Sequence, residues 1–128
     1  MVWFKKSHRA GPPSGLLLVS SGGLGDTVLF SLIINRFSLL ANPGEEVFLL
    51  VPRGSLKLAF LFDQDIQIIG VDYKRYRKKW SYSRQINKSL YNLNFRLVVT
   101  ADFLRHPKLD EAMIKSCDAK EVVGMESR

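Results

Sequence analysis

The chain predicts an α/β fold, a Rossmann-like parallel sheet with helices on both faces. Three observations carry that prediction. Short continuous apolar runs of strand length recur along the sequence, beginning with LLLV at 16–19 and VFLLV at 47–51, and strands apolar on both faces are the mark of a buried parallel sheet. Longer segments with apolar residues at helical spacing separate those runs, as right-handed crossovers require. Three glycines, Gly22, Gly23 and Gly25, stand between the first strand-like run and the first helical segment.

Residues 1–15 read as a flexible basic N-terminal segment, because 11–15 is Gly/Pro/Ser-rich and Lys5, Lys6 and Arg9 meet no acid there. Residues 16–128 form the folded domain. Its first strand is Leu16 to Val19. From Asp26 the spacing of Leu29, Leu32, Ile33, Phe37 and Leu40 predicts a helix whose apolar stripe faces the core, stopped by Asn42-Pro43-Gly44. Val47 to Val51 is the second strand, Leu56 to Phe62 a short helix over the sheet, and Ile66 to Val71 the third strand. Tyr82, Ile86, Leu90 and Leu93 then recur on one face, with Arg84 and Lys88 on the other, which predicts an amphipathic helix. Phe95 to Thr100 is the fourth strand, Pro107 to Asp118 a helix with proline near its first position, and Glu121 to Gly124 a fifth strand.

With 128 residues and a 46% hydrophobic fraction, the chain can bury one core, which excludes a disordered basic tail. The lone cysteine, Cys117, excludes an internal disulfide and suits a reducing compartment; with only His8 and His106 beside it, no zinc site is expected. The most apolar stretch, 27–40, is too short for a membrane span and contains Asn35 and Arg36. No apolar segment follows the first lysines as a signal peptide would require. The expected location is cytoplasmic, touching a membrane surface.

The formal net charge is +7, and it is local: residues 71–96 hold eight basic residues and one acid, whereas 16–70 and 97–128 are each slightly acidic. Charge gathered in this way implies an anionic partner. Ligands of parallel sheets bind at the carboxyl ends of the strands, here Ser20 to Asp26, Pro52 to Ser55, Asp72 to Lys79 and Ala101 to Arg105. The glycine loop can offer backbone N–H groups to an anion or a sugar. It is no dinucleotide fingerprint. Counting from Gly23, Val28 stands where a glycine is needed, and Arg53 rather than an acid ends the second strand, which disfavours NAD and leaves an NADP reading open. Asp26 reads either as a helix N-cap or as an ionised general base.

The run from Tyr73 to Trp80 packs five cations and three aromatics into eight residues. It reads as a solvated loop with Trp80 anchoring the next helix, or as a binding surface whose arginines fork onto phosphate or carboxylate while Tyr and Trp face sugar rings or bases. Asp63 and Asp65 read as solvated, Cys117 as packing, and His106 as near a helix cap. Asp102 and Arg105 line either the cleft or a surface turn.

The segment LLLVSSGGLGDTVLFSLIINRFSLLANPGEEVFLLV resembles the N-terminal part of glycosyltransferase family nine, the heptosyltransferases of lipopolysaccharide core synthesis. IQIIGVDYKRYRKKWSYS is similar to that family's basic-aromatic segment, and FRLVVTADFLR with EVVGM resembles its later strands, so the likeness covers residues 15 to about 125. It implies the N-terminal, acceptor-binding half of a GT-B enzyme that transfers sugar with inversion, peripheral at the inner membrane. On that resemblance Asp26 is the catalytic base. Ser21, Gly22, Gly23 and Gly25, with Lys74, Arg75, Arg77 and Lys78, hold an anionic glycolipid acceptor, the lipopolysaccharide inner core. No cofactor or metal is implied; a nucleotide-sugar donor such as ADP-heptose is expected only with a C-terminal domain absent from these residues, without which the chain should not transfer sugar. Two positions depart from the family: Ser20 or Ser21 replaces a frequent basic residue, and Leu32 a frequent proline. The alternative is a non-catalytic basic module for single-stranded nucleic acid or anionic membrane, with Trp3 and Phe4 adding lipid attraction.

Overall fold

In the computed structural model, described for residues 12–20, 27–29, 31, 32, 34, 39–100 and 107–124, five strands form one fully parallel sheet. They are β1 (Leu16–Val19), β2 (Val47–Pro52), β3 (Ile66–Val71), β4 (Leu97–Thr100) and β5 (Glu121–Gly124). Their order is β3-β2-β1-β4-β5. Three α-helices follow in chain order, α1 (Tyr73–Lys78), α2 (Trp80–Asn92) and α3 (Pro107–Cys117), and a 3-10 helix (Arg53–Leu61) joins β2 to β3. Residues 27–29, 31, 32 and 34 are helical. The predicted Rossmann-like α/β class is the observed one.

Burial follows from the all-apolar strands. Every residue of β1 is fully buried, because both of its faces are covered. On one face Leu16, Leu18, Leu49, Val51, Leu97 and Val99 pack with Ile34. On the other, Leu17, Val19, Leu50 and Val98 pack beneath α1, α2 and α3 through Tyr73, Tyr76, Leu90, Met113 and Cys117. Phe95 closes this second core with its ring edge-on to Phe48, centroids 5.3 Å apart. Among the described residues no helix is long and apolar enough to cross a membrane.

The amino ends of the three central strands meet at one carboxylate. Glu45 accepts the backbone N–H of Gly15 at 3.1 Å and of Asn42 at 2.7 Å. It also takes a two-pronged contact from Arg96, Nε at 2.8 Å and Nη2 at 3.0 Å. The same Nη2 donates to the Leu40 carbonyl at 2.9 Å. Gly15 enters β1 at φ +110°, where a side chain would be strained, and its carbonyl receives the N–H groups of Arg96 and Leu97.

Several expectations need correction. In the helical segment before β2 it is Thr27 and Ile34, two turns apart, that are buried, whereas Leu29 is 58% and Leu32 74% exposed. The apolar spacing was real, but the face against the sheet is a different one. Residues 39 and 40 form a turn instead of continuing a helix, and Ile33 and Phe37 lie outside the described residues. The short helix over the sheet is a 3-10 helix that begins at Arg53, three residues earlier than predicted. It rests against β3 because Gly70 has no side chain: a Cβ there would stand 2.6–2.9 Å from the Leu56 side chain. The strand predicted from Phe95 starts at Leu97, since Asn94 at φ 55° turns the chain into it. Leu93, predicted inward, caps α2 and is partly exposed.

Two outcomes follow. The Arg96 hydrogen bond, with the two backbone donors, lowers the Glu45 pKa from its ordinary 4.5 to about 2. Its contribution to stability is therefore complete above pH 4.5 and lost as pH falls towards 2. Thermal melting of the wild type and Glu45→Gln should differ at neutral pH and converge across that window; an unchanged gap at its acid end would contradict the assignment. Gly70→Ala should cost about 1–3 kcal/mol by overpacking, and most of that cost should vanish in a Leu56→Ala background, as denaturant titration of the double-mutant cycle would show.

Candidate functional site

The sheet order reverses between β1 and β4, and in parallel sheets that switch point, at the carboxyl ends of the strands, is where ligands bind; here it falls beyond Ser20 and Thr100. The loops that the sequence assigns to that edge contain Ser21, Gly22, Gly23, Gly25, Asp26, Asp102 and Arg105, all outside the described residues, as are His106 and 1–11. The described part of the edge is a polar rim running from β1 to β3.

That rim is joined strand by strand. Ser20 is buried and its N–H donates to the Leu50 carbonyl. Thr27 donates from Oγ1 to Ser55 Oγ at 3.1 Å, both side chains buried, which ties the start of the helical segment after β1 to the 3-10 helix after β2. Arg53 lies 3.8 Å from Asp72, linking the ends of β2 and β3. Asp72 in turn caps α1, accepting the Arg75 N–H at 3.1 Å, while its own N–H donates to the Tyr82 hydroxyl at 3.0 Å. Sequence reasoning missed the Thr27–Ser55 link. Nothing local marks a buried hydroxyl pair 28 residues apart; it follows from the β1-β2 adjacency.

The basic run is a helix, not a loop. Asp72 supplies the N-cap that the charge count concealed, and the helical turn sorts the run into two faces. Tyr73 and Tyr76, three apart, point into the core. The Tyr73 hydroxyl donates to Asp110 at 2.6 Å and that of Tyr76 to Asn87 at 2.6 Å. Burial first, then the bond to Asp110, pushes the Tyr73 phenol far above its usual range, so it stays a neutral donor. These two rings are therefore anchors, and the expectation that they face sugars or bases is corrected.

The cations take the other face. Lys74, Arg75, Arg77, Lys78 and Lys79 are exposed, and among the described residues none pairs with an acid. Arg75 instead lays its guanidinium over the Tyr82 ring at 4.6 Å. Trp80 begins α2 as expected, but it is 72% exposed rather than a core anchor; Arg84 lies over its ring at 5.1 Å. The helix thus brings together all four basic acceptor residues of the sequence reading, on α1, directly after the carboxyl end of β3. It offers fixed cationic donors suited to phosphate or carboxylate groups. No group of His, Cys, Asp and Glu among the described residues could hold a metal. Asp63 and Asp65 are exposed and Cys117 is buried, as predicted.

No protein-family model and no curated protein matches the chain. Among solved structures, E. coli heptosyltransferase WaaC with ADP is similar over 87% of this chain, with a TM-score of 0.59 and 21% identity. The chain spans 35% of that protein's length. At this identity the likeness is one of fold, and the fold of the chain is heptosyltransferase-like.

Proposed function

We propose that this chain is the acceptor-binding part of a heptosyltransferase-like glycosyltransferase that acts in lipopolysaccharide core synthesis. Asp26 acts as the base that takes the proton from the acceptor hydroxyl. That oxygen then attacks the anomeric carbon of a nucleotide sugar, and the nucleotide leaves with its bonding electrons, inverting the centre. Ser21, Gly22, Gly23 and Gly25 contact the acceptor sugar, and Lys74, Arg75, Arg77 and Lys78 hold its anionic groups. The donor sugar is bound by a further domain. A cytoplasmic location goes with this reading.

The observation that carries it is the coincidence of a heptosyltransferase-like fold with a helix at the carboxyl edge of the sheet whose exposed cations pair with no acid among the described residues. Parallel sheets take their ligands at that edge. Inner-core sugars carry carboxylates and phosphates, the groups that arginine and lysine bind best.

Two measurements test the proposal. Calorimetric titration of the chain with an inner-core oligosaccharide should show binding that weakens about tenfold for each of Arg75→Ala and Arg77→Ala. In a protein that joins this chain to a donor-binding domain, Asp26→Asn should lower kcat by about two to four orders of magnitude while acceptor affinity is kept. Transfer undiminished by Asp26→Asn would remove the base from the mechanism, and tight binding of a single-stranded oligonucleotide with none of the core sugar would remove the acceptor.

A further inference from the structure

The corner where α1 meets α2 sets an exposed aromatic ring among cations. Trp80 stands there 72% exposed, although a tryptophan ordinarily buries most of its large apolar ring. Lys78 and Lys79 immediately precede it, Arg77 lies one turn back, and Arg84 and Lys88 follow one and two turns on along the same outer face of α2. All five are exposed. No acidic residue occurs between Asp72 and Asp102, so nothing in that stretch offsets the charge.

We propose that this corner is a membrane-surface anchor, in which the Trp80 ring enters the headgroup layer of an anionic bilayer and Lys79, Arg84 and Lys88 engage lipid phosphates. The side-chain chemistry matches the two layers of such a surface. An indole is amphipathic and settles at the membrane-water interface, while long basic side chains lay their stems along apolar surface and keep their charges in the headgroup region. The anchor is held rigidly, since Tyr73 and Tyr76 bind α1 to Asp110 and Asn87 beneath it.

Burial of those same tyrosines argues against a nucleic-acid strand. Successive bases need a row of exposed rings, and here Tyr73 and Tyr76 face inward and Tyr82 lies half-buried under Arg75. A single exposed ring among cations suits a flat anionic surface. The inference concerns how this corner meets lipid and holds whether or not the chain transfers sugar, so the two proposals fail separately.

The chain has two tryptophans, Trp3 and Trp80, so Trp3→Phe leaves Trp80 as the reporter. Its emission should shift to shorter wavelength and become shielded from acrylamide on vesicles of phosphatidylglycerol mixed with phosphatidylcholine. Neither change should occur on phosphatidylcholine alone or with inorganic phosphate. Measured by vesicle co-sedimentation, Trp80→Ala should weaken partitioning by about tenfold, and Lys79→Ala and Lys88→Ala by about fivefold each. These side chains are exposed, and unchanged circular dichroism would verify folding. The proposal is overturned by no partitioning on anionic vesicles, by partitioning indifferent to Trp80→Ala, or by a single-stranded oligonucleotide, but not vesicles, producing the shift.

Discussion

The hydrogen-bonded fork between Glu45 and Arg96 is the constraint on which the sheet's assembly depends. β1, β2 and β4 are short, and parallel strands distant in sequence have no hairpin turn to set their register. One carboxylate instead collects donors from the chain entering all three: the Gly15 N–H before β1, the Asn42 N–H before β2, and the guanidinium of Arg96 before β4. A slip of any strand would leave a nearly buried charge with missing partners, which costs more than the bonds themselves are worth. Because all of this pinning occurs at the amino edge, the opposite edge is left to loops and helix starts, where parallel sheets bind their ligands.

A second device prepares that edge. Cations gathered on a short helix repel one another, and a six-residue helix is marginal alone. α1 persists because its other face is anchored: Tyr73 reaches α3 through Asp110 and Tyr76 reaches α2 through Asn87, while Asp72 caps its start. The positive face is thereby ordered before any ligand arrives, which lowers the entropy that binding must overcome. The same anchoring fixes the α1-α2 corner and with it the exposed Trp80.

Much of the fold was legible in the sequence, for a definite physical reason. Buried parallel strands are apolar on both faces, so LLLV, VFLLV and IQIIGV announce themselves without their neighbours, and β5 was read to its exact ends. What failed was anything decided by which side of an element meets the sheet. Leu29 and Leu32 formed a plausible core stripe, yet Thr27 and Ile34 face inward. The basic run hid a helix because five cations read as a solvated loop or a binding surface, while the decisive residues were an aspartate one position earlier and two tyrosines at i and i+3. Trp80, which reads either as a core anchor of the next helix or as a face for sugars or bases, stands in solvent. Of the candidate site, Lys74, Arg75, Arg77 and Lys78 stand together on α1; Asp26, which the family resemblance marks as catalytic, and the glycine loop, which it marks as acceptor-binding, lie outside the described residues.

The central claim is that an anionic acceptor binds along the carboxyl edge of the sheet, over α1. Its most direct test is backbone amide chemical-shift mapping of the isotopically labelled chain, titrated with an inner-core oligosaccharide bearing both carboxylates and phosphates. The account predicts saturable shifts confined to the carboxyl edge, in the loop after β1, the 53–55 turn and residues 72–79. Shifts centred instead on Gly15, Glu45 and Arg96 at the amino edge, or spread along β5, would contradict it.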